Sequence, residues 1–211
     1  LKPLPYEHGE RFVALFGGTT NEPASRSSLA LPDLLEYQRQ TQSFDVFGWF
    51  RMGGFNLTSP GQPQHVNGTG VTPGLARGLG VSPIVGQWFT DDTGAVVSHS
   101  LWTRLGSDRG IVGKAITLNG RSYTITGVMP PGFRLPLTGV SWEELGTEVW
   151  IGLDPSGRGA EWTQGFYLSY ARMKPGVTFA QAEEDVRRIA AEIARQNPTT
   201  HPSYTARLVS L

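Results

Sequence analysis

The dipeptide Asn119-Gly120 constrains this chain more than any other feature. It sits inside Ile111 to Phe133, IVGKAITLNGRSYTITGVMPPGF, between two runs that alternate apolar and polar residues. A two-residue type I′ turn needs positive φ at both central positions, which Asn-Gly supplies, so the stretch reads as a β-hairpin. The turn dictates the register. Leu118 falls opposite Arg121, Thr117 opposite Ser122, Ile116 opposite Tyr123 and Ala115 opposite Thr124. Leu118, Ile116, Tyr123 and Ile125 then share an apolar face, and Thr117, Ser122, Ala115 and Thr124 a polar one. Gly127 interrupts the second run and marks a bulge or a close backbone approach. Pro130-Pro131 ends it, because proline donates nothing to a ladder.

A second local signal lies near the C-terminus. Phe166 to Met173 alternates as a strand, and Pro175-Gly176 turns the chain. Thr178 and Gln181 have the spacing of a capping box. Phe179, Ala182, Val186, Ile189 and Ile193 recur in steps of three and four, which predicts one apolar helical stripe. Glu183–Arg187 and Glu184–Arg188 have i,i+4 spacing in the favourable order. Asn197-Pro198 stops the helix, and Tyr204 to Val209 reads as a closing strand.

The remainder is punctuated by 27 glycines and 15 prolines in 211 residues, which favours turns and β structure. Phe12 to Phe16 reads as a buried strand, and Thr19 to Ser28 as a loop. Pro32 opens a helix to about Gln40, with Leu31, Leu34, Leu35 and Gln38 on one side. Phe44 to Phe50 reads as a continuation of that helix or a buried connection. Phe55 to Thr58 and Gln64 to Thr72 read as strands, and Pro73 to Leu79 as a short helix. Val81 to Phe89 is a crossing segment. Ala95 to Val97 is a strand, followed by a short helix capped by Ser98 or Ser100. Leu135 to Gly146 is a loop, Val149 to Ile151 a strand, and Asp154 to Gly159 a linker.

These elements predict an α+β fold, with strand–helix–strand units at the ends and a β-rich insert. Texture changes at Thr90 and Trp162. Residues 1–89 and 163–211 are therefore expected to form one discontinuous subdomain, and 90–162 an inserted β subdomain.

Charge and cysteine usage narrow the chemistry. Lys+Arg and Asp+Glu balance at 18 each, so there is no global basic footprint for nucleic acid. Cysteine is absent, which excludes disulfides and thiolate chemistry. No apolar run reaches the ~20 residues of a spanning helix. The chain is expected to be a piece of a longer protein. Its four histidines, His8, His65, His99 and His201, lack metal-ligand spacing. Asp91-Asp92 reads as a solvated loop, because the oxygen-ligand pattern of a calcium loop is missing. Glu143-Glu144 are adjacent, which suits no acid–base pair across one cavity. Gly68, Gly70 and Gly74 have the wrong spacing for a dinucleotide loop, and no Walker A sequence or G-x-S-x-G elbow occurs. Of the six tryptophans, Trp49, Trp88, Trp102, Trp142, Trp150 and Trp162, most read as core or subdomain-junction residues. Trp142 and Trp162 lie in polar loops and are the ones expected to be exposed.

The hairpin and its GVMPPGFRLP exit resemble the periplasmic core domain of MacB-like ABC-transporter permeases. Four further stretches follow the same pattern in order: FNLTSPGQPQHVNGTGVTPGLARGLGVSPIVGQWFTDD, VVSHSLWTRLGSDRGIVGK, TEVWIGL and YLSYARMKPGVTFAQAEEDV. The resemblance covers the chain from about Leu31 onward and places His99 in a helix-cap region. It implies a porter subdomain formed by the discontinuous part and a sabre subdomain formed by the insert. It also implies a non-catalytic domain on the periplasmic side of the bacterial inner membrane, between membrane helices. Partners implied are an ABC ATPase reached through those spans, a second permease copy or half, and in some members a periplasmic adaptor. No catalytic, cofactor-binding or metal-binding residue is expected, and no cofactor; the partner surface is unassigned. Competing readings are a secreted glycan- or lipid-binding module using Trp142 or Trp162, and an unrecognised hydrolase.

Overall fold

A computed structural model of the chain describes residues 6, 8–135, 146–154, 156 and 167–211. The elements in chain order are β1 (Phe12–Thr19), β2 (Glu22–Ser27), α1 (Leu31–Gln40), β3 (Phe44–Ser59), β4 (Gln64–Val71), α2 (Pro73–Gly78) and β5 (Val85–Gly86). There follow β6 (Gly94–Val97), α3 (His99–Arg104), β7 (Ala115–Leu118), β8 (Arg121–Val128), β9 (Val149–Gly152), β10 (Leu168–Met173), α4 (Phe179–Gln196) and β11 (Tyr204–Ser210). The fold is α+β. The chain divides into two compact units, Leu1–Trp49 with Ser156–Leu211, and Phe50–Pro155.

In the discontinuous unit β1 is the central strand. Ala14 lies opposite Val209 of β11 and opposite Tyr170 of β10, both pairings antiparallel. The strands expected at Phe12 and Tyr204 therefore share one sheet. Residues 12 to 16 of β1 are all buried, so both its faces are covered and it reads as a continuous apolar run. Helix α4 packs on β11 and α1 packs against α4.

Three local expectations need correction in this unit. Residues 22–27 form strand β2, which pairs with β1 through Thr19 and Glu22, not a loop. Four of its six residues are polar, so no apolar alternation marks it. Phe44 to Phe50 begins the 16-residue strand β3. Phe44, Val46, Gly48 and Phe50 are buried on one face, but Phe47 and Trp49 place aromatic rings on the other, which hides the strand period. The buried side of α1 is Leu31, Asp33, Leu34 and Tyr37, while Gln38 is exposed. The helix is rotated to bury the Tyr37 ring, whose hydroxyl donates to the Tyr204 hydroxyl at 3.3 Å.

In the second unit the ladders close on themselves. β3 pairs with β4, β4 with β9, β9 with β6, β6 with β8, β8 with β7, and β7 with β3. Closure removes free edges from these six strands. The second half of β3 and all of β4 complete this ring. That is why the observed unit begins at Phe50, whereas the change of texture lies at Thr90: strand pairing crosses it.

The hairpin has the expected register, with Leu118 opposite Arg121 and Ile116 opposite Tyr123. Ile116, Leu118, Tyr123 and Ile125 are each at most 2% exposed. Asn119 and Gly120 have φ of 48° and 80°. Asn119 also ties the turn to β3, its Oδ1 accepting from the Asn56 N–H at 2.8 Å. Substituting Gly120 with valine is expected to cost about 1–2 kcal/mol, because a β-branched residue resists positive φ. Urea denaturation of the two proteins measures that difference. Gly127 answers both of its expectations. The β6–β8 register skips a residue there, and a Cβ on Gly127 would stand 2.7 Å from the Gln87 carbonyl oxygen.

Candidate functional site

Among the described residues, the histidines, acids and glycines with chemical potential are dispersed and occupied in local structure. His65 is exposed, its Nδ1 3.5 Å from Asn56 Oδ1. His99 sits edge-on to Trp102, and Ser98, not His99, caps α3 by accepting from the Leu101 N–H at 3.1 Å. Asp91 accepts from the Thr93 N–H at 2.9 Å, shaping its own turn, and Asp92 pairs with Arg121 at 2.9 Å. Gly68 lies within strand β4, where a Cβ would strike the Phe55 ring. Among the described residues no three His, Cys, Asp or Glu side chains are placed to hold a metal. Trp49, Trp88 and Trp150 are buried, as expected. Trp88, Phe133 and Trp150 pack edge to face with centroids 5.2 to 6.3 Å apart. Trp142, Trp162 and Glu143-Glu144 lie outside the described residues, as does most of the expected 154–159 linker.

The most elaborate polar arrangement binds α1 to α4. Helix α4 starts with the predicted capping box: the Thr178 N–H donates to Gln181 Oε1 at 2.9 Å, and the Gln181 N–H donates to Thr178 Oγ1 at 3.3 Å. Ala182, Val186, Ile189, Ala190 and Ile193 form its buried stripe. Between those apolar positions stands Asp185, whose side chain is only 12% exposed. Its Oδ2 accepts from the Thr41 hydroxyl, the Gln42 N–H and the Ser43 hydroxyl, each at 2.9 Å, and from the Ser43 N–H at 3.2 Å. Its Oδ1 accepts from Arg188 at 2.9 Å, and Arg188 also reaches the Gln40 carbonyl at 3.4 Å. One carboxylate thus receives two of the N–H groups that leave α1. Arg188 pairs with Asp185 at i,i+3, whereas Arg187 keeps its expected partner Glu183 at 3.2 Å.

The other end of α1 is held as well. Asp33, buried in its first turn, lies 3.0 Å from Nε2 of His201, which follows α4. His201 also stands edge-on to Tyr204 at 5.1 Å and within 2.9 Å of the Thr200 hydroxyl. Burial pushes the Tyr37 and Tyr204 hydroxyls well above the ordinary tyrosine range, with the Asp33 charge adding to it, so both stay protonated and serve as hydrogen-bonding groups. Because Asp185 meets the C-terminal end of α1 and His201 its N-terminal end, the two helices run antiparallel, lashed at both ends. A further network links the strands of this unit. Asp45 of β3 accepts from Arg172 at 2.8 Å and lies 3.5 Å from Arg11, which itself donates to the Met173 carbonyl at 2.9 Å.

Burial by itself would raise the Asp185 pKa. The hydrogen bonds from Arg188, Gln42, Ser43 and Thr41 overcome that and hold it below the usual carboxylate range. The lowered folded value means that the charge stabilises the fold above the unfolded carboxylate pKa of about 3.9. That contribution disappears as pH falls through the still lower folded value. Asp185→Ala, which strands several donors, is expected to cost about 2–4 kcal/mol at neutral pH. Asp185→Asn is expected to cost less, and its deficit against the parent protein should shrink below about pH 4. Chemical denaturation across that pH range measures both. A deficit that stays constant down to pH 2 would contradict the charged clasp.

In the sequence Asp185 is simply one more acid in the first half of the predicted helix, beside Glu183 and Glu184. Its partners Thr41, Gln42 and Ser43 lie more than 140 positions away, and nothing local in either segment announces the other.

Comparison with known proteins adds the family context. The profile described as "MacB-like periplasmic core domain" matches residues 4–189. Among solved structures, a permease-protein domain from Porphyromonas gingivalis superposes with a TM-score of 0.69 at 16% identity, covering 99% of this chain and 92% of that one. The extracellular domain of the noncanonical ABC-type transporter YknZ from Gram-positive bacteria gives 0.65 at 12% identity, covering 92% and 98%. The periplasmic region of MacB from Actinobacillus actinomycetemcomitans gives 0.65 at 11% identity, covering 94% and 88%. At such identities these likenesses speak for the fold. A search of curated proteins finds no match.

Proposed function

The chain belongs to the MacB-like periplasmic core domain family, and from that premise we propose that it works as a non-catalytic, mechanical part of an ABC-transporter permease. As a member of that family it is an extracytoplasmic domain of a membrane permease; no helix among its described residues is long and apolar enough to cross a membrane. Its proposed role is to move when the cytoplasmic ATPase of the transporter cycles, so that ATP hydrolysis inside drives movement or export outside the inner membrane. The ATPase connects to it through the membrane spans of the full protein. A second permease copy or half completes the transporter, and a periplasmic adaptor is a further candidate partner. The discontinuous unit takes the porter-like role and the inserted ring of strands the sabre-like role.

The observation that supports this reading is the lashed helix pair. A part that transmits displacement must move as one piece, and α4, which packs on β11, is joined to α1 by the clasp at Asp185 and, through the segment that follows it, by the tie at His201. Domain motions need such rigid bodies on either side of a hinge, and no reacting group within them.

The test is nucleotide binding by the purified chain. Titration calorimetry with ATP and Mg²⁺ is expected to give no heat above dilution, and a sensitive phosphate assay no turnover. Stoichiometric nucleotide binding or hydrolysis would overturn the non-catalytic reading. Saturable binding of an oligosaccharide or lipid in the same instrument would favour a binding module instead.

A further inference from the structure

We draw no further inference here: the strongest candidate, a cleft of about 260 Å³ between residues 98–100 and the 130–134 turn, is walled on one side by the start of a six-residue helix, and nothing in the structure points to the ligand it would take.

Discussion

Replacing Ile189 with aspartate is expected to unfold the discontinuous unit or leave it without fixed packing. Ile189 is fully buried in the middle of the α4 stripe, with Val186 and Ile193 one turn away on either side. An ionised carboxylate at this fully buried position loses its hydration. A protonated one still places two polar oxygens against aliphatic side chains. Loss of the isoleucine adds its own transfer and cavity terms, so the total comes to about 4 kcal/mol or more, which consumes much of the stability of an ordinary domain. Ile189→Val separates shape from polarity. It keeps the site apolar, and should cost only about 1 kcal/mol. Circular dichroism melts of the three proteins decide the matter. If Ile189→Asp melts within a few degrees of the parent, the α4 stripe is not packed as described.

The second large effect concerns Gly152, at the end of β9. A Cβ on this residue would collide with the carbonyl oxygen of Asp91, and would stand 2.8 Å from that carbonyl's carbon and 3.0 Å from Asp92 Cα. These are backbone atoms, so no side-chain rotation relieves the clash. The strand itself is held by Val71, paired with Gly152, and by Ile151, paired with Ala95. Gly152→Ala is therefore expected to cost about 3 kcal/mol or more through forced backbone displacement. Gly53→Ala is the control, because a Cβ there meets nothing within 4 Å and the residue lies exposed in β3. That change should fall within about 1 kcal/mol of neutral, as surface changes do. Equal destabilisation by both would contradict this account, because the approach of the Asp91 backbone exists only at Gly152.

What the sequence revealed follows from how local each determinant is. The Asn119-Gly120 register, the Thr178–Gln181 box, the α4 stripe and the Ser98 cap each depend on residues within a few positions of one another. The register and the box are found as expected; the stripe is too, except that Phe179 is half-buried and Ala190 joins it; and of the two candidate serines Ser98 is the cap. β2 escaped notice because its partner surface belongs to β1 and its own residues are polar. The opening of β3 escaped because aromatic residues crowd both its faces. The rotation of α1 toward Tyr37 depends on Tyr204 and His201, which lie in the last strand and the loop before it. Beyond the β3–β4 and β7–β8 hairpins, the closed ring requires four pairings between strands far apart in sequence, two of them parallel. No period within one strand can disclose such partners. Asp185 is the sharpest instance. Its charge and helix position were legible, but the chain segment it grips was not.

Location tests the central claim most directly. The chain contains no cysteine, so a single thiol at Glu184→Cys, on the exposed side of α4, reports its surroundings without interference from this domain. The full-length permease, freed of any cysteines elsewhere, is expressed in cells that are converted to spheroplasts and exposed to a membrane-impermeant maleimide. The account predicts labelling of intact spheroplasts as complete as that of lysed ones, with a cytoplasmic control protein labelled only after lysis. Labelling of Glu184→Cys that appears only after lysis would place the domain on the cytoplasmic side and contradict the account.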